Sequence, residues 1–146
     1  MKIIVQRVLS ASVEIDGNIH KNIKNGLLAL VGISNQDNEE TLEWIANKLV
    51  NLRIFNDKDD RMNLSVKDIN GEILIVPNFT IYGNTKKGFR PSFINSAKPD
   101  ISKPIFTDLV NKLCSIYPNK VGSGVFGADM KVNLINDGPV TIVIEK

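Results

Sequence analysis

KIIVQRVLSASVEIDGNIHKNIKNGLLALV, residues 2–31, is punctuated twice, at Asp16-Gly17 and at Asn25-Gly26. Such dipeptides supply the positive φ angles that tight turns require. Lys2 to Ile15 alternates in part, with Val13 and Ile15 in phase, and runs into the first turn as one arm of a β-hairpin. After the second turn, Leu27-Leu28-Ala29-Leu30-Val31 is a continuous apolar run, which suits a strand buried on both faces and therefore central in its sheet. Strands in hairpin-like pairs, with no glycine fingerprint between a strand and a helix, disfavour a doubly wound fold.

The rest of the chain fits around that start. Asp37, three residues before Glu40, has capping-box spacing, and a first helix is expected from about Glu39 to Leu52. Its Leu42, Ile45, Ala46 and Leu49 form a stripe that packs on the sheet, with Trp44 off the stripe. The polar stretch Asn56 to Arg61 reads as a surface loop, and Glu72 to Val76 as a strand stopped or edged by Pro77. Asn78 to Phe93 mixes Gly83, Gly88 and Pro91 with basic and aromatic residues, the composition of a functional loop. A second helix is expected with Ser102 as its cap, Pro104 in its first turn and a buried stripe of Ile105, Leu109, Leu113 and Ile116, ended by Pro118. Finally Met130, Val132 and Leu134 alternate with polar residues, Asn136-Asp137-Gly138-Pro139 reads as a turn, and Val140 to Ile144 as a last strand. About six or seven strands and two helices make this an α+β fold, with curved, mainly antiparallel, barrel-like sheets covered by two helices in one domain spanning 1–146.

The chain has 146 residues, 42% of them hydrophobic and 23% charged, enough for one well-formed core. No run approaches the roughly 18 apolar residues of a membrane span, and MKIIVQRVLS lacks the features of a signal peptide, so a soluble, cytoplasmic protein with no membrane partner is expected. The single cysteine, Cys114, lies in an apolar helical pattern and is expected to be a buried thiol. A net charge of +2 is too small for a non-specific nucleic-acid coat. Lys86, Lys87 and Arg90, followed by Lys98 and Lys103, form one candidate basic edge, whose alternative reading is a solvated loop.

The side-chain inventory excludes more than it suggests. His20 is the only histidine, and its place in the N-terminal hairpin suits an exposed strand residue better than a catalytic base. No spacing suits a zinc site and no phosphate-cradling loop is present, so no metal and no cofactor are expected. Asp57, Asp59 and Asp60 are clustered in a polar loop and read as solvated, with no assigned role. An enzyme built from this chain must work through backbone amides, hydroxyls, a proline-shaped pocket or a group that the substrate brings. Thr80, just past a strand end, is the hydroxyl best placed for that.

Three segments together carry a resemblance: Val76-Pro77-Asn78-Phe79-Thr80, Lys87-Gly88-Phe89-Arg90-Pro91-Ser92-Phe93, and Phe126-Gly127-Ala128-Asp129-Met130 through Asn136-Asp137-Gly138-Pro139-Val140-Thr141. With Gln6-Arg7-Val8 and Asn51-Leu52-Arg53-Ile54-Phe55, they resemble the D-aminoacyl-tRNA deacylase family over the whole chain. The resemblance implies a metal-independent hydrolase that removes D-amino acids, and in some cases glycine, from mischarged tRNA. It implies a homodimer with active sites at the subunit interface, and reliance on the 2′-hydroxyl of the terminal adenosine in place of a protein nucleophile. On that resemblance Asn78, Phe79 and Thr80 form the catalytic segment, and Gly138 and Pro139, joined by a cis peptide, form the chirality gate. Met130 lines the pocket, Arg7 steadies the Gly-Pro loop, and Lys86, Lys87 and Arg90 meet tRNA phosphates. Members usually show Ser-Gln where this chain has Pro77-Asn78, which keeps the side-chain amide but shortens it by one methylene. The rival readings are an inactive RNA- or DNA-binding module of the same fold, and an esterase using Thr80 or Ser92 as nucleophile.

Overall fold

The computed structural model describes residues 1–146. Strand β1 (Lys2–Ile15) turns at Asp16-Gly17 into β2 (Asn18–Ile23), with Ile15 paired to Asn18. Strand β3 (Gly26–Gly32) lies between β1 and β6 (Glu72–Pro77), buried on both faces as its unbroken apolar run implies. Helix α1 (Glu39–Asn51) precedes a short hairpin of β4 (Phe55–Asn56) and β5 (Met62–Leu64). A 3-10 turn (Phe79–Tyr82), helix α2 (Pro99–Ile116), β7 (Val121–Ser123) and β8 (Lys131–Glu145) complete the chain.

The main sheet runs β2-β1-β3-β6-β7, with β8 on the other side of β1. Most pairs are antiparallel, but β3-β6 and β6-β7 are parallel, and β7 has no signal in the sequence because Val121-Gly122-Ser123 is too short to show a period. The sheet curls until β2 approaches β7, where Lys21 lies so close over Gly122 that a Cβ there would come 2.6 Å from its aliphatic carbons. The result is a nearly closed, barrel-like sheet. Two cores follow from the two-residue period of the strands. Ile3, Val5, Leu27, Ala29, Val31, Ile73 and Ile75 face the helices, while Val8, Leu28, Leu74 and Val76 fill the inside of the curl.

Strand β1 then changes sides. Its register against β8 shifts between Val8 and Ser10, and the extra residue, exposed Leu9, moves Ala11 and Val13 to the inner core. β8 makes the complementary change. Gln6 pairs with Thr141 and Val8 with Asn136, so two steps on β1 face five on β8 and three residues are extruded. An odd number of extra residues flips the faces, which is why Val132 packs on the inner core and Val140 on the helix-side core. Asn136-Asp137-Gly138-Pro139 is therefore a bulge inside one long strand, where a turn between two strands was expected.

Several other expectations are corrected. The α1 cap is Asn38, whose Oδ1 accepts from the Thr41 amide at 3.0 Å. Asp37 instead accepts from the Ser34 amide and hydroxyl and pairs with the Met1 amino group. Helix α2 starts at Pro99, one turn before the expected cap. Ser102 sits inside it, buried, with its hydroxyl donating to the Lys98 carbonyl at 2.9 Å, and Pro104 is interior. The buried stripe is Ser102, Phe106, Leu109 and Leu113, whereas Ile116 is 41% exposed and Cys114 is exposed too, because α2 covers the sheet along a narrower line than its apolar content suggests. The Asn56–Arg61 loop is the tip of the β4-β5 hairpin. No helix is long and apolar enough to cross a membrane.

Candidate active site

The parallel ladder carries the chain to the first part of the site. Pro77 ends β6 opposite Val31, and the Asn78 amide adds one more bond to the Val31 carbonyl at 2.7 Å. Asn78 has extended backbone angles and its Oδ1 accepts from the Thr80 amide at 3.2 Å and the Thr80 hydroxyl at 2.5 Å, which caps the 3-10 turn. The Gly83 amide closes the turn on the Thr80 carbonyl at 2.9 Å. Gly32 lets this turn lie flat on β3, since a Cβ there would come 3.1 Å from the Tyr82 ring. Burial raises the Tyr82 phenol above its ordinary value, partly offset by a hydrogen bond with Ser34. Phe79 projects outward, 57% exposed, with Phe93 edge-on at 5.1 Å between ring centroids.

Beside this turn opens a largely apolar cleft of about 390 Å³ lined by Pro77, Asn78, Phe79, Phe93, Pro99 and Phe126 among others. Of these, Phe93 and Phe126 enter the sequence reading only as parts of the matching segments, with no role of their own. Both stand in loops, where no periodicity distinguishes a lining aromatic from an ordinary one. Met130 sits just beyond, its sulfur over Gly124, where a Cβ would lie 2.7 Å from Sδ and 3.6 Å from Pro77 Cδ.

The second part is the β8 bulge. Its peptide Gly138-Pro139 is cis, Gly138 adopts φ 127°, and both residues are exposed. A side chain at Gly138 would meet Val140 Cγ2 at 2.7 Å and the Val140 nitrogen at 3.0 Å, so only glycine fits. Asn136 clamps the ends of the bulge, accepting from the Val140 amide at 2.9 Å and donating to the Thr141 hydroxyl at 3.2 Å. Below it lies Arg7, which follows Ile3 and Val5 onto the helix-side face and is only 7% exposed. Its Nε donates to the Asp137 carbonyl at 3.1 Å and lies 3.0 Å from the Asp137 carboxylate. Its Nη1 donates to the Ile54 carbonyl at 2.8 Å and to Asn56 Oδ1 at 3.2 Å. A planar guanidinium fits this set because its donors diverge in a fixed fork.

The third part is basic. Lys86, Lys87 and Arg90 lie exposed in a loop closed by paired bonds between Asn84 and Ser92, and none of the three forms an ion pair. Phe89 at its tip is wholly exposed. The structure brings Asn78, Phe79 and Thr80 together on one turn and Arg7, Gly138 and Pro139 together at the bulge, but no hydrogen bond joins the two groups within the chain. His20 is exposed on β2, as its place in the N-terminal hairpin implied. No cluster of three or more His, Cys, Asp or Glu side chains is placed to hold a metal ion.

Residues 4–145 match the family model described as D-Tyr-tRNA(Tyr) deacylase. The chain is 55% identical over 145 residues to a D-aminoacyl-tRNA deacylase of Flavobacterium psychrophilum, covering 99% of this chain and 97% of the relative. It is 50% identical, with the same coverage, to a D-aminoacyl-tRNA deacylase of Thermosipho africanus. Among solved structures it superposes with a TM-score of 0.95 on the c-Myc DNA Unwinding Element Binding Protein, 36% identical over 100% of this chain and 99% of the other. A probable eukaryotic D-amino acid tRNA deacylase, 16% identical over 98% and 97% of the two chains, shares the fold with a TM-score of 0.81.

Proposed function

The chain belongs to the D-Tyr-tRNA(Tyr) deacylase family, and we propose that it hydrolyses the ester of D-aminoacyl-tRNA to free D-amino acid and tRNA. The family match over residues 4–145 carries this reading, and the state of the Thr80 hydroxyl fits it. Its proton is donated to a neutral amide oxygen, Asn78 Oδ1, so the hydroxyl is oriented but has no base to activate it. A hydroxyl so held can accept a hydrogen bond from a substrate ammonium or water while the nucleophile is activated elsewhere, and the 2′-hydroxyl of the terminal adenosine is the group that the substrate itself brings. The apolar cleft beside Phe79 and Phe126 offers aromatic surface to a nucleobase. Asn78, Phe79 and Thr80 thus form the catalytic segment, with Met130 near its wall.

Gly138 and Pro139 serve as the chirality gate, held by Arg7. A gate of backbone atoms suits an enzyme that must admit every D-side chain, since it meets only the atoms that those substrates share. Because the gate and the Phe79-Thr80 turn are both exposed and unjoined in one chain, the site is completed in a homodimer, where one subunit's bulge meets the other's turn. Exposed Leu9, Leu134 and Ile135 along the β1-β8 edge supply apolar surface for such an interface. Lys86, Lys87 and Arg90 meet tRNA phosphates. Activity extends to glycyl-tRNA, which presents no side chain for the gate to reject. A soluble cytoplasmic protein of one domain suits this role.

The test is side-by-side incubation with D-tyrosyl-tRNA and L-tyrosyl-tRNA at catalytic protein concentration. The D-ester is lost and the L-ester persists; equal loss of both, or of neither, overturns the reading. A 2′-deoxy terminal adenosine lowers the rate more than Thr80→Ala does, and the opposite order hands the mechanism to a protein nucleophile. A second reading is favoured by the unpaired basic loop and by the name of the c-Myc DNA Unwinding Element Binding Protein: a nucleic-acid-binding module without turnover. Binding of tRNA with no ester loss supports that alternative.

A further inference from the structure

The β4-β5 hairpin looks like plain solvated polarity in the sequence, yet it ends at Arg7. Asn56 Oδ1 accepts from Arg7 Nη1, while Asn56 Nδ2 donates to Asp60 Oδ1 at 2.6 Å. Asp60 stands in the left-handed region, φ 61°, at the hairpin tip. The tip is built on Asp57, whose carboxylate accepts from the Asp59 amide at 2.9 Å, the Arg61 amide at 3.1 Å and the Asn63 side chain at 2.7 Å. These bonds hold its carboxyl below the ordinary range, the Asn63 bond most strongly. Asn63 is held from its other side by Arg53. Most of these groups are exposed, so hydrophobic burial does not account for their order.

We infer that this hairpin is the positioning element of the Gly138-Pro139 bulge, with Asn56 as the residue that fixes the plane of the Arg7 guanidinium. The inference rests on the reading of that bulge as the selectivity gate. Held only by Ile54 at Nη1 and Asp137 at Nε, the guanidinium can still rock about the axis that joins those two contacts. A second acceptor, Asn56 Oδ1, sets the plane and with it the direction in which Nε reaches Asp137. The Asn56 amide in turn has a defined orientation. Turned over, it would present its NH2 to a group that only donates, and its oxygen to a carboxylate that only accepts, so Asp60 selects the face shown to Arg7.

The experiment compares wild type, Asn56→Ala, the exchange Asn56→Asp/Asp60→Asn, and Asp59→Ala as a control in the same turn whose side chain makes no hydrogen bond. Two quantities are read: the ratio of kcat/KM for D- over L-tyrosyl-tRNA, and amide hydrogen exchange at Gly138 and Val140. Asn56→Ala lowers the ratio roughly tenfold, the scale of one hydrogen bond to a charged group, and speeds exchange at both amides. The double exchange reverses donor and acceptor, preserves net charge and stays within about threefold of wild type. Asp59→Ala stays at wild-type values. A merely structural contact lowers thermal stability without moving the ratio. An unchanged ratio in an active Asn56→Ala, an equal loss in Asp59→Ala, or failure of the double exchange to restore the ratio overturns the inference. If wild type cleaves neither ester, the deacylase reading fails on its own, and exchange decides the tether: unchanged exchange in Asn56→Ala overturns it, faster exchange upholds it.

Discussion

Phe79 and Thr80 on the 3-10 turn and Gly138 and Pro139 on the β8 bulge are all exposed, and the two segments are held by different balances of near and distant bonds. The turn is anchored to β3 by one bond, from the Asn78 amide to the Val31 carbonyl, and is otherwise fixed by its own neighbours: Asn78 bonds to Thr80 two residues on, and Gly83 to Thr80 three residues back. The bulge has a near clamp in Asn136, but its Asp137 also hangs on Arg7, 130 positions earlier in the chain, and Arg7 hangs on Ile54 and Asn56, 47 and 49 positions from it. A segment that carries its own clamp tolerates change around it and loses only local order when the clamp goes. A segment clamped from afar transmits damage from every part of its support.

Arg7→Ala tests the distant clamp most severely. It strips a buried carbonyl of its donor and frees Asp137, so stability falls by about 2–4 kcal/mol in denaturant titration and D-over-L selectivity falls with it. Undiminished selectivity in a folded Arg7→Ala would show that the bulge holds its own shape. Gly138→Ala strikes the bulge directly, placing a Cβ at φ 127° against Val140, and is expected to cost about 1–3 kcal/mol and to lower kcat/KM for the D-ester. Wild-type kinetics there would mean that the bulge relaxes freely.

Asn78→Ala removes the local clamp and should cost about 1 kcal/mol, as lost caps do. Because the change stays in the turn, kcat for the D-ester drops while the D-to-L ratio stays near wild type. A changed ratio would erase the distinction between the two segments. The smallest effect is that of acid. Asp57 and Asp68 have carboxyls below their ordinary value of 3.8, Asp57 through Asn63 first and Asp68 through Ser65. Their folded pKa is depressed, so the stability they add is fully present above the ordinary value of 3.8 and is lost as pH falls from there through the folded pKa. Hairpin amides should therefore keep their exchange protection down to about pH 4 and lose it below, with the Asn78 turn unaffected.

How much of this was legible follows the same division. The β1-β2 hairpin, the doubly buried β3, the extent of α1 and the barrel-like α+β class rest on turn dipeptides and apolar runs, which act between near neighbours. The cap of α1 was misplaced by one residue because Asp37 and Asn38 are chemically equivalent candidates, and a distant amino group, that of Met1, claimed Asp37. The stripe of α2 was read correctly at Leu109 and Leu113 and missed at its ends, since helical spacing allows both Ile105 and Phe106, and only the surface beneath the helix decides between them.

The sequence by itself determined the elements whose signals are periodic or dipeptide-sized, and it placed Asn78 beside Thr80, where two residues of chain suffice to form the cap. It also left His20, in the N-terminal hairpin, as the one imidazole that a triad could recruit. Tertiary structure alone decided that Asn136–Pro139 is extruded from a continuous strand, since a bulge exists only relative to the partner strand, and β1 lies more than a hundred residues away. It alone set the solvated-looking Asn56 and Asp60 beneath Arg7. Hydrogen bonds between groups far apart in sequence depend on how the sheet curls, and that curl sums over every strand, so no local pattern records it.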